Sequence, residues 1–228
     1  MTKKPLVFLG TNSNLIQYVD ICQLNQIPIH GVIDNDYFGN TASLDGVPVI
    51  GTEQSVCFQT MAKDFDFFVA ANPVPENPRD VNKRKKFIAL LEQHNIQCAN
   101  IIDPGSRISS MASIGHGTFI GFGASISGHT TIGNYCQFHA QSIVAHHCRV
   151  GNNVTLQRKA MIGTGSTVGD NAFIGVNSLC HRLPGLTIGK NAVIHPGVTV
   201  MRDVQDTEYV HATGRKVYRT TVTDAIDQ

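Results

Sequence analysis

"VTLQRKAMIGTGSTVGDNAFIG", Val154 to Gly175, repeats itself every six residues. Leu156, Ile162, Val168 and Ile174 are apolar, and four places after each of the first three stands a small residue, Ala160, Ser166 or Ala172. Outward from this stretch the apolar column runs unbroken, from Ile102 through Ile108, Ile114, Ile120, Ile126, Ile132, Phe138, Val144 and Val150 down to Cys180. It slips by two residues in "HRLPG" and resumes at Ile188, Ile194 and Val200. The small column keeps step with it, through Ser106, Ala112, Thr118, Ala124, Thr130, Cys136, Ser142, Cys148, Val154 and Ser178. A period of six is neither the 3.6 of a helix nor the 2 of a two-faced strand. It suits short strands joined by tight corners, one large and one small residue pointing inward from each, wound as a parallel β-helix. Glycines 115, 121, 133, 151, 163, 169, 175 and 189 follow the large residue, where a corner is expected to demand positive φ.

The first hundred residues read differently. "PLVFLG", "IHGVID", "VPVIG" and "DFDFFVAAN" are strand-like runs. "TNSNLIQYVDICQLNQ" predicts a helix capped at Asn12 or Ser13, and "NKRKKFIALLEQHN", with Phe87, Leu90 and Leu91 at helical spacing, predicts a second. Alternating strands and helices imply a small parallel sheet of Rossmann-like α/β type. Its ligands are expected beyond the strand ends, at the "GTNSNL" turn and at Asp34 to Asp36. The expected division is therefore an α/β domain over 1–100, a β-helix over 101–205 and a tail over 206–228.

Composition narrows the function classes. Lys and Arg number 18 against 17 Asp and Glu, so there is no charge excess suited to nucleic acid. Six scattered cysteines form no CxxC pair, which argues against a zinc ribbon or a disulfide framework and fits a reducing cytoplasm. No apolar run is long enough for a membrane span, and "PLVFLG" is too short for a signal h-region. A soluble protein is expected.

The repeat resembles that of the hexapeptide-repeat transferases, whose coil is a left-handed triangular prism of three hexapeptides per turn. The α/β unit placed before it resembles one branch of that superfamily, the acetyl-CoA-dependent sugar O- and N-acetyltransferases of bacterial glycan assembly. The likeness runs from "VFLG" to "VHATGRKVY". It implies a homotrimer, with acetyl-CoA as co-substrate, no metal, and a nucleotide-linked amino sugar as acceptor.

In that branch a corner histidine in a string such as "xxHDCxIG" is the general base. The matching string here is "VAHHCRVG", which puts the base at His146, with Cys148 and Gly151 as flanking matches. An imidazole suits the task, because the attacking amine or hydroxyl must lose a proton near neutral pH. The family's orienting carboxylate is replaced by His147, and between Pro104 and Gly169 there is no Asp or Glu. A neutral His147, a backbone carbonyl or a neighbouring subunit would have to hold His146 instead.

The resemblance places the oxyanion-stabilising amide at Thr164, and further acetyl-CoA contacts at Val176, Gly197 and Arg215. It places the nucleotide at Gly10, Thr11, Asn12, Ser13 and Asn14, with Asp34 or Asp36 accepting from the base or ribose. The turn keeps Gly10 but lacks the other glycines and the histidine of the family's "GxxGHG" string, Asn14 standing in that histidine's place. Three other readings stay open or are weighed. The acceptor could be a free sugar such as sialic acid, acetylated on oxygen, or the chain could be a non-catalytic trimeric scaffold that binds a sugar nucleotide. Zinc is suggested by His129 and His147, one coil apart, as in the γ-class carbonic anhydrases; the close HxxxxH pair of those enzymes is missing, so no metal is expected.

Overall fold

The computed structural model describes residues 4–75, 77–211 and 216–218. The chain divides into two compact units, Met1–Pro104 and Gly105–Gln228.

In the first unit β1 (Leu6–Leu9), α1 (Leu15–Leu24), β2 (Ile29–Ile33), β3 (Ser43–Leu44), β4 (Val47–Gly51), α2 (Phe58–Met61), β5 (Asp66–Val69) and α3 (Pro78–Gln93) follow in order. The sheet order is β3-β4-β2-β1-β5, parallel except for the β3–β4 pair. All four residues of β1 are buried, as expected of a central strand whose two faces are both covered. Helix α1 sends Leu15, Tyr18, Val19, Ile21 and Cys22 into the core. Its cap differs from the expectation, since the N-cap is Asn14 and it makes no side-chain capping bond. Asn12 tightens the preceding turn instead, its Oδ1 accepting the Asn14 N–H at 2.6 Å while its amide donates to the Ala70 carbonyl. Helix α3 begins at Pro78, four residues before the run that announced it, and the Asn77 side chain accepts from the Asp80 N–H.

The second unit is a left-handed β-helix with three faces. The first face stacks the two-residue strands from Arg107–Ile108 to Thr199–Val200, the second those from Ser113–Ile114 to Thr187–Ile188, and the third those from Phe119–Ile120 to Val193–Ile194. A coil takes 18 residues, as Ile126 opposite Val144 shows, and 20 across "HRLPG", where Val168 faces Ile188. The coil runs past residue 205, because Glu208–Val210 pairs with Val193–Ile194 and then with the antiparallel strand Lys216–Tyr218. From Thr118 to Cys180 both inward columns are buried. Phe138, Val144, Leu156, Ile162 and Ile174 fill the axis, and Thr118, Thr130, Cys136, Ser142, Cys148 and Ser166 fill the spaces beside them.

Left-handed backbone occurs at every corner from Gly117 to Asn177, but two residues later than the glycines that were expected to need it. It falls on Gly117, Gly123, His129, Tyr135, Gln141, His147, Asn153, Lys159, Gly165, Asn171 and Asn177, and beyond the slip on Asn191 and Gly197. The glycines after the large residue answer a different demand, close approach of the next coil. A Cβ on Gly133 would lie 2.7 Å from the Gly151 carbonyl oxygen, and one on Gly169 would lie 2.7 Å from the Lys190 nitrogen.

The corner between the second and third faces is laced by side chains. Asn134 Oδ1 accepts from the His116 N–H, Asn152 Oδ1 from the Asn134 N–H, and Asp170 Oδ1 from the Asn152 N–H, at 2.8–3.1 Å. Each coil thus satisfies the corner amide of the coil before it.

Candidate functional site

Two groups of residues bring ionisable or hydrogen-bonding side chains together, one in each unit.

In the β-helix the corner between the first and second faces carries His146 after Val144 and, one coil on, Thr164 after Ile162. Both follow the inward aliphatic residue by two, so their side chains sit on the prism's edge. His147 occupies the left-handed position of its corner, with φ 59°, and His129 does so one coil earlier, with φ 58°. The shared backbone stacks the two rings, centroids 4.8 Å apart and planes at 32°. His147 meets His146 edge to face, and their Nδ1 atoms are 2.9 Å apart, so one donates and the other accepts. At the other side of the His146 ring, Nε2 lies 3.4 Å from Thr164 Oγ1. Both imidazoles are exposed.

The Thr164 N–H has no hydrogen-bond acceptor among the described residues, whereas its neighbours Gly163 and Gly165 donate to Cys180 and His146 carbonyls. This corner has no asparagine ladder, so its amide is left free to face a ligand. Cys148 points into the prism, donating to the Gly163 carbonyl oxygen at 3.2 Å, and burial pushes its thiol above the ordinary cysteine range. It is not an accessible nucleophile. Asp170, the first carboxylate after the histidines, is spent on the Asn152 amide at a different corner. Among the described residues no three His, Cys, Asp or Glu side chains converge as a metal site.

Val176 and Gly197 stand together on the corner between the third and first faces, where the Gly197 N–H donates to the Val176 carbonyl at 2.8 Å. Val176 is exposed, and the space beside the Gly197 Cα is open. Within one chain, then, His146 and Thr164 share an edge, while Val176 and Gly197 share another. Arg215 lies outside the described residues.

In the first unit a cleft of about 910 Å³ opens beyond the strand ends, lined by Thr11, Asn12, Ser13, Asp36, Tyr37 and Asn72 and, from the start of α3, by Asn77, Arg79, Asp80 and Lys83. Thr11, Asn12, Ser13 and Asp36 thus fall where the sequence put them. Asp34 does not, since it is fully buried behind the cleft and accepts from Lys83 Nζ at 3.1 Å and from the Asp36 N–H at 2.9 Å. It orders the wall and offers no free oxygen to a ligand. Gly10 and Asn14 do not line the cleft either. Gly10 makes the turn, with φ 69° and no room for a Cβ beside Ala71, and Asn14 caps α1.

Lys83 also bonds Asp36, whose other oxygen is held by Arg79. The Lys83 hydrogen bond, with Arg79 beside it, holds the Asp36 carboxyl below the usual carboxylate range. Burial would push the Lys83 ammonium down, but Asp36 and Asp34 together keep it above the ordinary lysine value. Arg79 and Lys83 were not among the expected site residues: the run "NKRKKFIALLEQHN", which starts after Arg79, signalled only a helix, and nothing in it marks which lysine turns inward.

Two family models match the chain. Residues 129–164 match the bacterial transferase hexapeptide (six repeats), and residues 165–202 match the hexapeptide repeat of succinyl-transferase. The chain carries the transferase hexapeptide repeat. The first matched segment begins at His129 and ends at Thr164, so it spans the whole histidine corner of the repeat. Among solved structures, the chain is similar to PerB from Caulobacter crescentus, determined in complex with CoA and GDP-perosamine, at 23% identity and a TM-score of 0.78, covering 93% of this chain and 97% of that one. It is similar to the acetyltransferase domain of PglB from Neisseria gonorrhoeae at 19% identity and a TM-score of 0.79, covering 94% and 100%. It is similar also to WeeI from Acinetobacter baumannii at 21% identity and a TM-score of 0.77, covering 93% and 99%. These likenesses show that an α/β unit followed by the hexapeptide repeat is a fold common to all four chains. No curated protein matches the sequence.

Proposed function

We propose that this protein is an acetyl-CoA-dependent N-acetyltransferase acting on the amine of a nucleotide-linked amino sugar. The observation that carries the reading is one edge of the prism, where the His146 Nε2 faces the coil of Thr164, whose amide is uncommitted. A base and an oxyanion donor one coil apart are what acyl transfer from a thioester needs. His146 takes the proton from the attacking amine, and the Thr164 N–H receives the charge that develops on the thioester oxygen. Such a base contributes about 10²–10⁴ in rate and such a donor about 10²–10³. Inward-facing Cys148 supports direct transfer from acetyl-CoA to sugar rather than an acyl-cysteine intermediate.

The α/β cleft supplies the nucleotide subsite, with Thr11, Ser13 and Asp36 at its wall. PerB was determined with CoA and a GDP-linked sugar, which supports the same pair of ligands here. The acetyl-CoA positions Val176 and Gly197 lie on a different edge from His146, so a second copy of the chain is required to bring them together. A homotrimer with sites between prisms meets that requirement. The free thiols among the described residues suit a cytoplasmic enzyme.

The test is thiol release from acetyl-CoA against GDP-perosamine and a panel of UDP- and dTDP-linked amino sugars, with wild type and His146→Ala in parallel. One amino sugar is expected to support turnover, and the folded variant to lose at least about 100-fold in kcat. Turnover only with a free sugar hydroxyl would replace this reading with O-acetylation. A chain that binds the nucleotide sugar without releasing thiol would be a scaffold.

A further inference from the structure

We propose that His147 relays the proton that His146 collects, so that the pair works as a two-imidazole wire instead of a base beside a fixed counter-charge. The proposal rests on the reading of His146 as the base.

For His146 to accept a proton at Nε2, that nitrogen must be bare and its proton must sit on Nδ1. The only partner of that Nδ1 among the described residues is the Nδ1 of His147, 2.9 Å away. His147 must therefore accept there and carry its own proton on Nε2. A carboxylate in the same place could hold the ring but would stay an anion. An imidazole can take the proton at one nitrogen and release another from the far one.

The surroundings favour this use. The sequence has no carboxylate between Pro104 and Gly169, while Arg107, Arg149, Arg158 and Lys159 lie within that span, so nothing acidic there balances an imidazolium on His146. Passing the charge on leaves both rings neutral. The His147 ring is held for the task by its left-handed backbone and by the His129 ring stacked at 4.8 Å, so it does not depend on His146 for its orientation.

The step balances. The amine proton goes to His146 Nε2 as the nitrogen–carbon bond forms, the His146 Nδ1 proton goes to His147 Nδ1, and the His147 Nε2 proton goes to water. When the carbon–sulfur bond breaks, the leaving thiolate takes the proton from His146 Nε2, His147 Nδ1 returns its proton to His146 Nδ1, and His147 Nε2 regains one from water. His147 touches no substrate and acts through His146, which makes it a positioning and relay residue.

Two measurements test this. Spectra of protein labelled with ¹⁵N-histidine read the tautomers of the resting protein directly, with His146→Ala and His147→Ala for assignment. A bare Nε2 on His146 with a bare Nδ1 on His147 is expected, and the opposite pairing would overturn the relay. With acetyl-CoA and GDP-perosamine or another acceptor found active, kcat is then followed across mixtures of light and heavy water. Two protons in flight give a bowed dependence in wild type, and His147→Asp, which can orient but not relay, gives a straight line. His147→Ala is expected to lose about 10–100-fold in kcat with KM little changed and to regain part of it with added imidazole. A straight line in wild type, matching His147→Asp, would reduce His147 to a ring holder. If His146→Ala itself turned over normally, the assignment of the base would fall and the relay with it, an outcome the tautomer spectra tell apart from failure of the relay alone.

Discussion

Replacing Leu156 with alanine tests how rigidly the prism is packed beneath the histidine corner. Leu156 is fully buried on the axis, between Phe138 of the preceding coil and Ile174 of the next. The substitution removes three carbons, worth about 2.4 kcal/mol at ~0.8 kcal/mol each. A cavity penalty of about 1–2 kcal/mol is added where the surroundings cannot close in. Here they cannot, because the coil is bonded above and below, His139 N–H to the Leu156 carbonyl and Gln157 N–H to the Ile174 carbonyl, both at 2.9 Å. The expected loss is therefore about 3.4–4.4 kcal/mol, within the usual range for this change. Urea unfolding followed by circular dichroism, at one fixed protomer concentration so that assembly does not shift the midpoint, measures it. A loss below about 1.5 kcal/mol with an unchanged m-value would mean that the coils relax into the space, and the argument from bonding on both sides would be wrong.

Cys148→Ser is expected to keep kcat within about 3-fold, since the thiol faces the core; a loss of 100-fold or more would point to an acyl-cysteine and against direct transfer. Gly133→Ala is expected to destabilise by about 1–3 kcal/mol in the same urea assay, because its Cβ would stand 2.7 Å from the Gly151 carbonyl oxygen, and an unchanged midpoint would refute the close-approach account of these glycines. Asp36 is held below its ordinary value, so its bonds to Lys83 and Arg79 stabilise the fold above that value and are lost as pH falls through the lowered one. The thermal midpoint of wild type is thus expected to exceed that of Asp36→Asn at pH 6, to start closing on it only below about pH 4 and to meet it once pH has fallen past the lowered value, and a gap that persisted there would assign it to something other than ionisation.

The β-helix was legible because its period is a packing rule repeated many times, and the two-residue slip at "HRLPG" appears in the structure as a 20-residue coil. Corner detail was less so. Glycines 133 and 151 were read as positive-φ residues because glycine is the usual sign of that backbone, yet the left-handed positions are taken by His129, Tyr135, His147 and Asn153. Where successive corners impose the same conformation, the fold overrides residue preference. In the α/β unit the strand-end location of the cleft followed from topology, and Thr11, Ser13 and Asp36 line it. Asp34 was misjudged because a sequence shows a carboxylate but not the ammonium that will occupy it, and Lys83 arrives from 49 residues away.

The left-handed corner positions make each edge of the prism a graduated scale. His129 and His147 mark two successive divisions, 4.8 Å apart, and His146 and Thr164 mark two more beside them. Chemistry on such an edge has an address counted in coils. Moving an imidazole by one division needs two substitutions and no change of backbone, while inserting one coil between His146 and Val176 would carry the Val176–Gly197 corner about one strand spacing further away. On the reading proposed above, the separation between His146 and the Val176–Gly197 corner is therefore counted in whole coils, and it changes only by that increment.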